Sequence, residues 1–381
     1  MKIVIASDSY KGSCSTLEVA NAIEKGIRKV YKDAEIIKIP VADGGEGTVD
    51  ALVLGMNGKY EQVEVLDPLG KKIHARYGIL NDSIAVIEMA AASGLPLVNE
   101  EERNPMVTTT YGTGQLIQAA MERGCRKILV GIGGSATNDG GVGMAQALGV
   151  SFKDKEGKEI GYGGGELEKI QLIDLTNLNP LLKEIEIIVM SDVTNPLCGK
   201  NGASYVYGPQ KGADLEMIEN LDNNLRHYAQ IVKSNLGKDI INIPGAGAAG
   251  GLGAGLIAFC NARLCPGIEK VLDITQIDSH LQSANLVITG EGQIDSQSIY
   301  GKVPVGVAKR AQKYNVPVIA IVGSIGEGAS AVYEHGVNAF MDTISKPMSL
   351  QESMENALYL IKQTAENMMR ILVLKNYVNE K

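Results

Sequence analysis

The chain opens with apolar segments that alternate with helical segments, and this alternation constrains its fold more than any other feature. Residues 2–7 (KIVIAS) and 35–41 (EIIKIPV) are rich in β-branched side chains, which predicts two buried strands. Between them, Ser15 and Glu18 have the spacing of a capping box, which predicts a helix with Ser15 as its N-cap. This strand–helix–strand order is typical of a parallel sheet covered by helices.

The C-terminal region returns to the same alternation. Its apolar patterns predict strands at 285–289 and 316–322 and helices at 303–314 and 349–374. Because the two chain ends share one pattern, we expect them to build one parallel-sheet domain together.

The middle of the chain has a different pattern. Residues 60–90 form short alternating segments separated by turn residues, which predicts antiparallel strands. A chain of 381 residues also exceeds the usual size of one hydrophobic core. We therefore predict an α/β protein with a parallel-sheet domain formed by 1–60 and 283–381, and an inserted mixed α/β domain formed by 61–282.

Segments that combine glycine with an acidic residue follow several predicted strands. Glycine accounts for 45 residues, which indicates many tight turns and close backbone approaches. Any one segment could be an ordinary turn. However, ligands of α/β sheets bind beyond the carboxyl ends of the strands, where backbone N–H groups can hold phosphate and carboxylates can hold Mg²⁺. The segments are 8–13, 42–48, 131–141, 191–196 and 289–295.

Most standard nucleotide and hydrolase motifs are missing from the sequence. There is no GxxxxGK[ST], no HRD or DFG, no HExxH and no GxSxG. A GxGxxG at 245–250 and a GxGxxA at 131–136 are weak dinucleotide fingerprints. They keep open the alternative of an NAD-dependent oxidoreductase that acts on a small hydroxy acid.

Composition limits the partners. The net charge is −8 and the sequence has no cluster of Lys and Arg, which argues against nucleic-acid binding. Scattered cysteines without a CxxC predict free thiols, and the N-terminus lacks the apolar region of a signal peptide, so we expect a cytoplasmic protein. The uncharged stretch 241–262 is long enough to span a membrane, but its glycines and Pro244 predict a buried loop and helix instead. A homodimer is compatible with the sequence, which does not fix the oligomeric state.

The chain resembles the bacterial glycerate kinase family over residues 1–366. The resemblance lies in many motifs that occur in the family's order, namely SDSYKGSCSTLEVANAIEKG, PVADGGEGT, EMAAASGLPL, TTYGTG, GIGGSATNDGGVGM, SDVTNPLCGKNGAS, YGPQKGA, GAGAAGGLGAGL and VITGEGQIDSQSIYGKVPVGVA. The resemblance implies ATP-dependent phosphorylation of D-glycerate, with 2-phospho-D-glycerate favoured over the 3-phospho product. It also implies a flavodoxin-like first domain, an inserted second domain, and an active site in the cleft between them.

Roles for single residues are hypotheses that combine this resemblance with the loop chemistry. Asp192 ends a predicted strand and is the predicted general base. Lys11 is the second predicted catalytic residue, because it is the cation of the first loop and could meet a γ-phosphate or a substrate carboxylate. Ser9, Ser13 and Asp43 are predicted to bind the substrate, and Asp43 is also a candidate for Mg²⁺.

The cofactors predicted are ATP and Mg²⁺. Glu291 and Asp295 are the predicted ligands of Mg²⁺ or of its bound water. The loop at 131–141 is predicted to hold the phosphates of ATP. Within it, the predicted ATP-binding residues are Gly133, Gly134, Ser135, Thr137 and Asn138.

Overall fold

The structure is a computed structural model that describes residues 1–379, with side chains described through Leu374. The strands are β1 (Lys2–Ile5), β2 (Glu35–Lys38), β3 (Lys59–Leu66), β4 (Lys72–Leu80), β5 (Ile84–Glu88), β6 (Lys127–Gly131), β7 (Ser151–Lys153), β8 (Leu172–Asp174), β9 (Glu186–Met190), β10 (Arg263–Cys265), β11 (Leu286–Ile294), β12 (Val318–Ile325) and β13 (Ala339–Asp342).

The α-helices are α1 (Thr16–Ile27), α2 (Thr48–Gly55), α3 (Ala90–Ser93), α4 (Tyr111–Glu122), α5 (Val142–Ala147), α6 (Ala203–Tyr207), α7 (Leu215–Leu236), α8 (Leu252–Cys260), α9 (Gly267–Ile274), α10 (Ile277–Leu281), α11 (Val303–Gln312), α12 (Leu350–Glu355) and α13 (Ala357–Asn379). Short 3₁₀ helices cover Leu95–Leu97, Glu100–Glu102, Gly164–Lys169, Pro180–Glu184, Pro209–Lys211 and Ala329–His335.

The first of two compact units contains Met1–Asp43, Asp50–Met56 and the chain from Pro266 onward. Its five-stranded sheet has the order β13-β12-β11-β1-β2, and all neighbouring strands are parallel. This is the flavodoxin-like strand order, so the predicted fold class is confirmed. The order reverses between β1 and β11, and such a switch point leaves a crevice beyond the carboxyl ends of the two strands.

Helices α1 and α13 pack against each other in the core of this unit. The predicted capping box is present, with Ser15 and Glu18 each accepting a hydrogen bond at the start of α1. The helices approach closely at Gly26, where a Cβ atom would lie 2.4 Å from the carbonyl oxygen of Lys362. Only glycine therefore fits at this crossing.

The sequence prediction assigned residues 266–282 to the inserted domain, whereas here they contribute α9 and α10 to the first unit. Ion pairs explain this placement. The buried Arg310 on α11 binds carboxylates on both helices through its guanidinium, at 2.6 Å from Glu269 and 2.6 Å from Asp278. A planar guanidinium can bind several carboxylates at once, so it fastens these helices to α11.

The second unit contains Gly44–Val49 and Asn57–Cys265. Its six-stranded sheet has the order β10-β9-β6-β5-β4-β3. Strands β3, β4 and β5 pair in antiparallel fashion, as predicted for residues 60–90, and the remaining pairs are parallel. The stretch 241–262 folds into tight turns followed by the buried helix α8, as predicted. None of the helices within residues 1–379 has the length and apolar character to cross a membrane.

Candidate functional site

The crevice at the switch point of the first unit is a cavity of about 560 Å³. It lies at the carboxyl ends of β1, β11 and β12, where bound ligands are expected in such a sheet. Several residues predicted from separate loops meet in it. Those that line the cavity are Ser9, Lys11, Ser13, Glu291 and Asp295.

Asp8 is a buried acid of this cavity that the sequence prediction did not assign to the site. The backbone N–H of Ser9 donates a hydrogen bond to its Oδ1 atom at 2.7 Å. Burial, and then the nearby charges of Asp43 and Glu291, raise the pKa of Asp8 to about 7, while Lys11 acts in the opposite direction. Asp8 therefore belongs to a group of carboxylates that repel one another.

Glu291 was predicted to lie in a loop, and that placement is wrong, because β11 continues through it to Ile294. The strand carries glycines because space is tight: a Cβ atom at Gly290 would lie 2.0 Å from the carbonyl oxygen of Ile321 on β12. The hydroxyl of Ser298 donates to Glu291 at 2.5 Å. Burial raises the pKa of Glu291 to about 7, against the lowering effects of Ser298 and Lys302.

Two lysines offset this negative charge. Lys11 is exposed in the loop after β1. The Nζ atom of Lys302, just before α11, lies 3.8 Å from a carboxylate oxygen of Asp43. The sequence prediction also missed Lys302, which lies inside the motif VITGEGQIDSQSIYGKVPVGVA, because nothing in its spacing connects it with Asp43.

Hydrogen bonds hold the first loop in place. The buried hydroxyl of Tyr10 donates to the carbonyl oxygen of Ile321 at 2.8 Å, which fastens the loop to β12. The hydroxyl of Ser13 donates to the carbonyl oxygen of Met354 at 2.9 Å, so it is engaged at the end of α12. Ser9 is half-buried beside Asp8. The loop is therefore a fixed part of the cavity wall.

The carboxylates suit a Mg²⁺ ion that binds together with a nucleotide. In the part of the chain that the structure describes, no group of three or more His, Cys, Asp and Glu side chains is placed to cage a metal. Mg²⁺ in phosphotransferases needs only one or two carboxylates, because phosphate oxygens and water complete its shell. Glu291 offers such a carboxylate, and Asp43 and Asp295 lie close enough to it to raise its pKa.

The predicted ATP-binding residues lie together in the second unit, after β6, but they do not all face solvent. Gly133 and Gly134 are exposed, whereas Ser135, Thr137 and Asn138 are buried. Gly134 has φ of +74°, a left-handed conformation that favours glycine. Among the five, the exposed backbone of the two glycines is thus the part within reach of a ligand from solvent.

A buried lysine that the sequence prediction missed supports this loop from inside. Lys211 donates from Nζ to Ser135 Oγ at 2.8 Å and to the carbonyl oxygen of Thr137 at 2.6 Å. Burial lowers the pKa of Lys211 to about 7, and the charge of Asp139 opposes that shift. Ser135 and Thr137 are therefore held by the protein itself.

Asp139 lies in the same loop and joins two helix starts. It accepts hydrogen bonds from the backbone N–H and hydroxyl of Thr110, which precedes α4, each at 2.8 Å. It also accepts from the backbone N–H groups of Gly141 and Gly143 at the start of α5. Burial raises the pKa of Asp139, and these four donors lower it. A carboxylate at two helix N-termini is favourably placed.

Asp192 follows β9 in the second unit and is half-buried. The preceding residue, Ser191, donates its backbone N–H to the carbonyl oxygen of Cys265 at 3.0 Å, which continues the pairing with β10. The predicted base therefore lies at the carboxyl end of a strand, as the sequence indicated.

Comparisons with known proteins agree along the whole chain. Residues 3–373 match the model of the glycerate kinase family. The chain is 52% identical over 375 residues to glycerate 2-kinase of Escherichia coli K12, covering 98% of each chain. It is 52% identical over 366 residues to glycerate kinase of Halalkalibacterium halodurans, covering 96% of each chain. A crystal structure from Salmonella typhimurium LT2, named as a glycerate kinase 2, has 50% identity and a TM-score of 0.90 and covers 99% of each chain.

Proposed function

Because the chain belongs to the glycerate kinase family, we propose that it transfers the γ-phosphoryl group of ATP to a hydroxyl of D-glycerate. We favour 2-phospho-D-glycerate as product over the 3-phospho isomer. The observation that carries the proposal is the switch-point cavity, where Asp8 and Glu291 lie beside Lys11 and Lys302. This mixture of carboxylates and cations suits a phosphate ester with its metal ion.

The cations of the cavity attract and orient the anionic reactants. Lys11 and Lys302 are flexible point charges that can bind phosphate or carboxylate oxygens. Ser9 adds a half-buried hydroxyl, and Asp43 is proposed to contact the substrate or to orient Lys302. These residues act mainly by positioning, which supplies most of the rate enhancement in phosphoryl transfer.

We propose that Glu291 and Asp295 hold Mg²⁺ or its water ligands. Bound Mg²⁺ would neutralise charge on the phosphate oxygens and favour the ionised form of the surrounding carboxylates. Burial, with smaller contributions from Asp295 and Asp43, raises the pKa of Glu291, and this supports the assignment because a bound cation would favour the ionised carboxylate.

The second unit is proposed to supply two further groups. Asp192 accepts the proton of the attacking hydroxyl as a general base. The exposed backbone N–H groups of Gly133 and Gly134 bind phosphate oxygens of ATP. Ser135, Thr137 and Asn138 shape that turn from its buried side, through the contacts of Ser135 and Thr137 with Lys211.

The two weak dinucleotide fingerprints that kept an NAD-dependent oxidoreductase open as an alternative do not have the structure that such a motif requires. The glycines at 245–250 form successive turns, and α5 begins only at Val142, well after the GxGxxA segment at 131–136. A dinucleotide fingerprint requires a helix that starts within the glycine motif directly after a strand.

A coupled assay of ADP release, with ATP, Mg²⁺ and D-glycerate, tests the proposed function. We expect ADP release that depends on D-glycerate, and phosphorus NMR of the product then distinguishes the 2-phospho from the 3-phospho isomer. Lack of ADP release with D-glycerate and related hydroxy acids would refute the kinase proposal, and NAD reduction with the same acids would support the oxidoreductase.

Three further sequence predictions remain proposals. We propose a cytoplasmic enzyme, and light scattering in solution tests the homodimer. Limited proteolysis tests the proposed division into one domain built from both chain ends and one inserted domain. The cleft expected from the resemblance stays a prediction, which X-ray scattering with and without D-glycerate and a Mg·ATP analogue can test.

A further inference from the structure

We propose that the adenine ring of ATP binds in the switch-point cavity of the first unit, against a wall formed by Ile344, Met348, Leu350 and Met354. This inference rests on the proposed phosphotransfer and adds the location of the nucleotide base. The sequence prediction placed only the phosphates of ATP, at the loop 131–141.

The size of the cavity is the first argument. D-Glycerate is a three-carbon acid, and it would leave most of a volume of about 560 Å³ unfilled. Sites for ligands of nucleotide size commonly enclose about 300–1,000 Å³. The cavity is therefore large enough for the base of a nucleotide together with part of its phosphate chain.

The cavity combines charged and apolar side chains, as a nucleotide combines phosphates and an apolar ring. Its charged residues come from the first loop, from β11 and the residue after it, and from the start of α11; they are Asp8, Lys11, Glu291, Asp295 and Lys302. The apolar wall comes instead from the segment that follows β13 and from α12. A nucleotide presents an apolar ring at one end and phosphates at the other, and the cavity offers side chains that suit each of them.

The apolar wall is exposed in the free protein. Leu350 is 77% exposed and Ile344 is 37% exposed, although both line the cavity. Neighbouring exposed apolar side chains at a cavity are typical of a ligand site rather than of a structural surface. A flat purine would cover them.

Met354 connects the wall to the loop that carries Lys11. Its carbonyl oxygen accepts the hydroxyl hydrogen bond of Ser13. Its Cε atom would lie 3.2 Å from a Cβ atom on Gly12, so the glycine leaves room for the methionine beside the loop. A methionine thioether makes favourable contacts with aromatic rings, and here the phosphates of the same ligand would lie toward Lys11.

Two ligands separate the base from the phosphates. Isothermal calorimetry in the presence of Mg²⁺ gives the Kd of ADP and of inorganic tripolyphosphate, which lacks the base. The test variant Met354→Gln keeps the length of the side chain but makes it polar. The matched control is Leu358→Gln on α13, an exposed leucine, 42% accessible, outside the cavity.

We expect Met354→Gln to raise the Kd of ADP about fivefold or more and to leave that of tripolyphosphate unchanged. Leu358→Gln should change neither. Leu350→Gln, at a position too exposed to affect folding, should weaken ADP binding in the same selective way.

The inference would be overturned if both cavity variants bound ADP as tightly as the wild type does. It would also be overturned if the variants bound ADP and tripolyphosphate equally more weakly, or if the wild type did not bind ADP. The ADP-release assay tests the proposed function separately. If D-glycerate is not phosphorylated but ADP binding falls selectively, the kinase proposal fails and the base site stands.

Discussion

Two clusters of buried charge, one in each unit, differ in what surrounds them. In the first unit, Asp8 and Glu291 line a cavity, and each has its pKa raised to about 7. In the second unit, Asp139 and Lys211 are also shifted toward their neutral forms by burial. A shifted pKa is therefore common to both clusters and does not by itself identify a ligand site.

The hydrogen bonds distinguish the clusters. Asp139 accepts from four donors of the protein, and Lys211 donates to two acceptors in the loop it supports. Asp8 and Glu291 also accept hydrogen bonds, from Ser9 and Ser298, but unlike Asp139 they line a cavity together with Lys11. We infer that the cluster of the second unit stabilises a loop, whereas that of the first unit acts on ligands.

We expect the largest effect, a loss of folding stability, when Asp139 is removed from the cluster of the second unit. Asp139→Ala leaves four buried donors without their acceptor, so the free energy of unfolding should fall by about 3–5 kcal/mol. Urea unfolding at pH 7 measures this change. Asp33→Ala, at an exposed turn, should leave the unfolding midpoint unchanged. If Asp139→Ala is as stable as the wild type, the structural interpretation of this cluster is wrong.

The proposed base tests whether the second unit also takes part in chemistry. Asp192→Asn keeps the shape of the side chain but cannot accept a proton, so kcat should fall about 10²-fold. Steady-state kinetics with D-glycerate measures it, and the thermal midpoint should stay near that of the wild type. Asp82→Asn, in an exposed turn of the same unit, is the control and should keep full turnover. Near-normal kcat in Asp192→Asn would remove Asp192 as the base.

Local sequence patterns were sufficient to predict much of the fold. The capping box at Ser15 and the helix predicted over 303–314, which is observed as α11, depend on residues close in sequence. The end of β11 was missed, because Gly290 and Gly292 are typical of loops. Gly290 lies in the strand since β12 approaches it too closely for a side chain, and that contact is visible only in the folded sheet.

In the candidate site, too, contacts between segments that are far apart in sequence could not be predicted. Ser9, Lys11 and Glu291 were predicted because each lies in a motif that combines glycine with polar residues. The pairing of Lys302 with Asp43 depends on segments far apart in sequence. Lys211 follows Pro209 in a polar segment, and nothing local indicates that it is buried.

The buried carboxyl of Glu291 in the first unit should make the protein less stable as pH rises, when Mg²⁺ and nucleotide are absent. The pKa of Glu291 is about 7 in the folded state and near its ordinary value of 4.5 when unfolded, so the folded state binds more protons between these values. The free energy of unfolding should therefore fall between pH 4.5 and 7. In Glu291→Gln this contribution, about 2 kcal/mol, should disappear, which makes the variant relatively more stable at pH 8.

Urea unfolding from pH 4.5 to 8 measures the difference, with Glu101→Gln, an exposed position, as control. The wild type and Glu291→Gln should differ increasingly as pH rises, whereas Glu101→Gln should follow the wild type. If the free energy of unfolding depended on pH in the same way in all three proteins, the pKa of Glu291 would not be raised by folding. The two clusters would then differ only in their hydrogen bonds.

The smallest expected effect is a change in KM. It tests the difference between the two clusters most directly, because it compares Lys302 of the first with Lys211 of the second. Lys302→Met removes a charge beside the cavity, so the KM for ATP or D-glycerate should rise about tenfold while the unfolding midpoint stays unchanged. Lys309→Met, at an exposed position on α11, is the matched control and should alter neither quantity. Lys211→Met should instead lower stability, because Ser135 and Thr137 lose their buried donor. If Lys302→Met unfolds as readily as Lys211→Met with unchanged KM, the first cluster is structural as well, and the distinction between them fails.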